Sequence, residues 1–149
     1  MQASLFDTNV WLAAVFPKHL FHQIAQQELV QSTAAQPVVW CRATQQSFVR
    51  LASTASLHRA YDAQGLTNRS VLAVLDALQA LPQVTWRDEP QGIFGLWRTL
   101  AALDSASPKV WMDAYLAAFA IAAGLRMVTL DRDFQTFVSH GLDLLLLNP

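Results

Sequence analysis

Short apolar runs alternate with longer amphipathic stretches from one end of the chain to the other. Residues 3–6 form an apolar run that stops at Asp7, the pattern of a buried strand. Residues 8–16 then read as a helix, stopped by Pro17. A second helix is predicted over 19–31, with Leu20, Ile24, Leu29 and Val30 near one face. Residues 37–40 read as the second strand, and 42–54 as a helix with Phe48 and Leu51 spaced for burial. A further helix covers 68–81 and is ended by Pro82; residues 84–86 are the third strand and 91–103 are helical. Ser107 and Pro108 read as an N-cap followed by proline at the first helical position. The helix they open runs to Gly124, a suitable C′ residue. Residues 127–130 are the fourth strand, ending at Asp131; a short helix covers 134–138 and a last strand 144–147. Strands alternating with helices predict an α/β fold, with a parallel sheet covered on both faces. In such sheets function sits at the carboxyl ends of the strands.

Composition narrows this further. A chain of 149 residues, 53% hydrophobic, suits one domain over 1–149 with a sizeable core. No apolar run reaches the roughly 18 residues of a membrane span, and the richest, 110–125, carries Asp113. The opening MQASLFDTNVW has neither a basic nor an apolar leader region, so no signal peptide is expected. One cysteine, Cys41, excludes an intramolecular disulfide and a cysteine-rich zinc site and suits a reducing cytoplasm. The net charge of −1 is not that of a strongly basic nucleic-acid binder, so any such contact is local. The acidic side is lopsided: nine aspartates against two glutamates, Glu28 and Glu89, which makes the position of each aspartate worth following.

Asp7 and Asp131 each follow an apolar strand directly, so both belong at one edge of a parallel sheet. Either can also be read as an N-cap, with Asp133 competing for that role beside Asp131. Asp113 is the only charged residue of 110–125. With Pro108 at the first helical position it lies beyond the first turn and cannot cap. A buried, unpaired carboxylate costs several kcal/mol or changes protonation. A metal ion resolves that cost; so does a salt bridge to Arg50 or Arg42. Three aspartates at the mouth of a sheet suit Mg²⁺ or Mn²⁺, hard ions that prefer oxygen ligands. Such a site serves phosphodiester hydrolysis or a phosphatase, although the Asp-x-Asp opening of the haloacid-dehalogenase type is absent, because Asp7 is followed by Thr8 and Asn9.

Three segments together resemble a known family. Residues 5–11 (LFDTNVW) resemble the opening motif of PIN domains, 111–118 (WMDAYLAA) their third-acid helix, and 128–134 (VTLDRDF) their late strand-and-turn motif. Order and separation also fit, and the match extends over the whole chain. The small size points to the VapC-type toxins of VapBC toxin–antitoxin pairs. The resemblance implies a PIN-like three-layer α/β/α domain, and a metal-dependent endoribonuclease with Asp7, Asp113 and Asp131 as ligands of Mg²⁺, with Mn²⁺ as the alternative. It implies that Asn9 orients the first carboxylate, that Thr129 lies close by, and that Asp133 assists or caps. It further implies a cognate VapB-like antitoxin, an RNA substrate and a homodimer, with no membrane association. One position departs from the pattern. Where the family places a glutamate, on the helix after the second strand, the best match is Gln45, an uncharged oxygen donor or simply a polar residue facing the cleft. This departure and the mild acidity sustain the alternative of a catalytically weakened or silent PIN module that acts through partner binding.

Other residues carry weaker signals. His19 and His22 are spaced i, i+3 without a third partner and read as a solvated helix face; His58 and His140 are isolated. The five tryptophans read as core or interface, Trp11 and Trp40 least clearly because they lie near strand ends. Arg42, Arg50, Lys109 and Arg132 lie in or near the motifs, where phosphate binding and a surface or salt-bridge role both remain open.

Overall fold

The structure is a computed structural model that describes residues 2–148. Among these, five strands form one parallel sheet: Ser4–Phe6 (β1), Val38–Trp40 (β2), Val84–Trp86 (β3), Arg126–Thr129 (β4) and Leu144–Leu146 (β5). Their spatial order is β3-β2-β1-β4-β5. The register aligns Leu5 with Val39 on one side and Met127 on the other, and Phe6 with Val128. Side chains alternate across a strand. Leu5, Val39 and Met127 therefore enter one core, and Phe6, Val38, Trp40 and Val128 the other. Both faces of the central strands β1, β2 and β4 are buried, which is why these read as continuous apolar runs rather than as alternating ones.

Helices Thr8–Val15 (α1), His22–Gln31 (α2), Arg42–Ala52 (α3) and Asn68–Gln79 (α5) cover the first face, with Ala55–Ala60 (α4) as a short link. The core there is built on Trp11 of α1, stacked flat on Trp40 at 3.8 Å and 7°. Phe48 packs edge-on against Trp40 at 5.6 Å. Helices Ile93–Ala101 (α6) and Val110–Ala123 (α7), with a 3₁₀ helix over Arg132–His140, cover the second face through Ile93, Leu116, Phe119, Phe134 and Phe137. The result is the three-layer α/β/α arrangement expected.

The chain departs from the pattern-based boundaries where local hydrogen bonds compete. After Pro17, the His19 Nδ1 accepts the Phe21 N–H at 3.0 Å, and helix α2 starts only at His22. The Ser53 and Thr54 hydroxyls donate to the Val49 and Arg50 carbonyls at 2.6 and 3.0 Å, ending α3 at Ala52, and α4 follows where no helix was expected. Pro108 is not the first helical residue. The Val110 N–H donates to the Ser107 carbonyl at 3.1 Å in a preceding turn, Lys109 occupies the N-cap position, and α7 opens at Val110. This puts Asp113 in the first turn of α7, not beyond it. Gly124 ends α7 in the left-handed conformation, φ 67°, that glycine adopts without strain.

The topology fixes where a site can form. From β1 the chain moves outward to β2 and β3, then crosses back to place β4 on the other side of β1. β1 and β4 are therefore neighbours whose outgoing segments leave toward opposite faces. Their carboxyl ends form the switch-point crevice at which ligands bind in open α/β sheets.

Candidate active site

Asp7 and Asp131 stand at that crevice. Asp7 follows β1 and caps α1: its Oδ1 accepts the Thr8 N–H at 2.8 Å. Its Oδ2 accepts the Thr129 hydroxyl at 2.7 Å. Thr129 is fully buried at the end of β4, and its Oγ1 accepts the Asp131 N–H at 3.0 Å and the Asn9 amide at 3.4 Å. The Asn9 Oδ1 accepts the Leu130 N–H at 3.2 Å. Asn9 thus acts on Asp7 through Thr129, by pinning the loop after β4 to the first turn of α1. The two aspartates that look like helix caps are helix caps, and they also share a crevice. Asp131 caps the 3₁₀ helix by accepting the Asp133 N–H on Oδ1 at 2.9 Å.

Asp113 enters from α7, with its side chain 14% exposed. The alternative of a buried pairing with Arg50 or Arg42 is not how its charge is met. Lys109, one turn earlier, places its ammonium 3.5 Å from Asp113 Oδ2 and 2.8 Å from Asp133 Oδ2, and hydrogen-bonds Asp131 Oδ2. One lysine is thus shared by three carboxylates. The i, i+4 spacing of Lys109 and Asp113 was visible in the sequence; the reach to Asp131 was not.

Charge is unevenly compensated across this cluster. Burial pushes the Asp7 carboxyl from 3.8 up to about 6 against the pull of its Thr129 and Thr8 hydrogen bonds, and repulsion from Asp113 and Asp131 adds to the rise. Burial likewise raises Asp113, opposed by the attraction of Lys109. Burial also works against the Asp131 carboxylate, yet the Lys109 ammonium and the Asp133 amide hold it below its ordinary value. Asp7 therefore has no counter-charge among its contacts with the described residues, while Asp113 has the longest of the three Lys109 contacts, at 3.5 Å.

Gln45 lies apart from this pattern. It is buried in α3, and its Oε1 accepts the Arg42 Nη1 at 2.5 Å. The same guanidinium lies over the Trp86 ring at 4.6 Å, at the end of β3. Beside it, Arg42, Arg50, Glu89, Met112 and Tyr115 line an open groove of about 820 Å³. The Tyr115 hydroxyl donates to Glu89 Oε1 at 2.7 Å. A second polar hollow, lined by Glu28, Arg126 and Asp143, opens at the amino ends of the strands, away from the carboxylates.

The donor set suits a hard divalent cation. It is made of carboxylate, hydroxyl and amide oxygens, and a cation, the Lys109 ammonium, already sits among three of the carboxylates. Among the described residues no group of three or more His, Cys, Asp or Glu side chains is arranged to hold a metal ion. Lys109 draws Asp131 and Asp133 to itself, while Thr8 and Thr129 hold Asp7.

Three histidines are engaged by the fold. His22 Nδ1 lies 2.7 Å from the Ala13 carbonyl and His19 packs on Tyr61 at 4.9 Å, so this pair is tied into the fold rather than forming a solvated face. His58 is buried, with Nε2 2.6 Å from the Ala52 carbonyl. Trp11 and Trp40 are core; Trp86 and Trp111 are exposed.

A three-layer parallel domain with aspartates at its switch point defines the class of protein, and the chain belongs to the PIN domain family, which it matches over residues 4–138. Among individual relatives, it is 40% identical over 144 residues to Ribonuclease VapC41 of Mycobacterium tuberculosis, strains CDC 1551 and H37Rv, covering 96% of this chain and 97% of the relative. The fold is shared with the crystal structure of Mycobacterium tuberculosis VapC20, a Sarcin-Ricin loop cleaving toxin, at a TM-score of 0.62 and 19% identity, covering 94% of this chain and 96% of that one. It is shared as well with VapBC2 of Rickettsia felis bound to a promoter DNA fragment, at a TM-score of 0.60 and 12% identity, covering 97% and 98%. A toxin–antitoxin complex from Klebsiella pneumoniae aligns at a TM-score of 0.59 and 16% identity over the same shares.

Proposed function

We propose that the chain, a single PIN domain over 1–149, is a metal-dependent endoribonuclease and the toxin of a VapBC-type pair. The observation that carries the reading is the convergence of Asp7, Asp113 and Asp131 on one crevice in a chain so similar to a named ribonuclease. In this proposal the three carboxylates hold Mg²⁺ or Mn²⁺, directly or through its water. Thr129 and Asn9 fix the Asp7 carboxylate, and Asp133 steadies Asp131 by donating its N–H. When bound, a divalent ion supplies charge stabilisation for the phosphodiester and an activated water for its hydrolysis. The chain's own contribution is placement. Asp7 is locked by two hydrogen bonds, and the groove beside Arg42 and Arg50 offers positive charge for flanking phosphates. A cytoplasmic protein, paired with itself as a homodimer and silenced by a VapB-like antitoxin, completes the proposal. Among the described residues no helix is long and apolar enough to cross a membrane.

A second reading, a weakened or silent module that acts by binding, draws on Gln45. Its oxygen is engaged by Arg42, so it brings no charge to the site. Growth separates the two. Overproduction without antitoxin is expected to slow growth, with Asp7→Ala relieving it; equal toxicity of both proteins favours the binding module.

A further inference from the structure

The carboxylate cluster carries more negative charge than one divalent ion balances, and part of it is already met by the protein. Asp7, Asp113, Asp131 and Asp133 contribute four carboxylates, and Lys109 contacts three of them. Both oxygens of Asp131 are engaged, one by the Lys109 ammonium and one by the Asp133 N–H. Asp7 has no cationic partner among its contacts, and its two bonds come from neutral donors. Two-metal nucleases place their ions roughly 3.5–4 Å apart, each bridged by carboxylates. The Lys109 ammonium, held by Asp131 and Asp133 and 3.5 Å from Asp113 Oδ2, already supplies a cation to three carboxylates that a second divalent ion would otherwise have to neutralise. Gln45, at the position where the family pattern has an acid, brings no charge, and its oxygen is taken by Arg42.

We infer that this site takes a single divalent ion, at Asp7 and Asp113, and that the Lys109 ammonium, clamped by Asp131 and Asp133, serves as the second cation. The inference rests on the metal-dependent reading above and adds its stoichiometry. Magnesium suits the remaining site, because it is commonly bound by one or two carboxylates and keeps most of its waters. Lysine is a compact point charge and replaces an ion's charge without its coordination demands. Asp131 then joins the two halves: it holds the ammonium and reaches the ion through the ion's water rather than directly.

The test is a count of bound Mn²⁺ per chain, by titration calorimetry and by the electron paramagnetic resonance signal of free Mn²⁺, on the full-length protein after EDTA treatment. The wild type is expected to bind one ion. Lys109→Met is expected to bind two, and Lys109→Arg to return to one. Lys109 is 58% exposed on its side chain, so its replacement leaves the core intact, and thermal melting verifies folding. Two ions in the wild type, or one ion in Lys109→Met at any affinity, overturns the inference while leaving the metal-dependent reading in place. No Mn²⁺ in the wild type, or an equal count in Asp7→Ala, overturns both.

Discussion

Replacing Asp7 by Asn tests the electrostatics of the crevice without touching its shape. Asparagine caps a helix about as well as aspartate, so the bond to the Thr8 N–H is retained. What changes is the charge. The Asp7 carboxyl titrates at about 6 in the folded chain against 3.8 ordinarily. At about 1.4 kcal/mol per tenfold change in proton affinity, that gap corresponds to about 3 kcal/mol. The sign follows from proton linkage. A carboxyl whose folded value is raised binds its proton more tightly in the native state, so its contribution is fully present below pH 3.8 and is lost as pH rises through about 6. In the metal-free protein, wild type and Asp7→Asn should therefore be similar in stability near pH 4. At pH 7.5 the variant should be the more stable, by up to about 3 kcal/mol less the weakened Thr129 hydrogen bond, about 1 kcal/mol. Urea unfolding in EDTA between pH 4 and 8 reads this directly. Saturating Mn²⁺ should reverse the order at pH 7.5, because the ion stabilises only the protein that binds it. A variant that is less stable than wild type at pH 7.5 without metal, or a difference that does not change with pH, refutes the reasoning.

Gln45→Glu introduces a carboxylate within reach of the Arg42 guanidinium, so on its own it should change Mn²⁺ affinity less than about tenfold; combined with Arg42→Met it should tighten binding further, as calorimetry would show. Trp11→Ala opens the stacked aromatic core and should cost about 3–5 kcal/mol in urea unfolding.

Much of this architecture could be read from the sequence, because the central strands are buried on both faces, β1 ends directly before Asp7, and β4 ends two residues before Asp131. Asp113 stood out as a lone charge in an apolar helix. It lies in the first turn of α7 rather than beyond it, since Pro108 sits in a turn and α7 opens two residues later. Helix α4 escaped notice because six residues, ASLHRA, are too few to display a period. The grip of Lys109 on Asp131 spans 22 residues, and that of Thr129 on Asp7 spans 122. Contacts of that range depend on strand order, which no local pattern encodes. The same holds for Arg42, whose position is set by the Trp86 ring at the far edge of the sheet.

RNA cleavage by the purified chain with Mg²⁺, with Mn²⁺ and with EDTA, alongside Asp113→Asn, tests the metal-dependent carboxylate site most directly. Such a site predicts cleavage with either ion and none in EDTA. It predicts a loss of more than about 100-fold in Asp113→Asn, since even residues that merely orient a metal ligand contribute about 10–100-fold. Cleavage that persists in EDTA, or that is equal in wild type and Asp113→Asn, would contradict it.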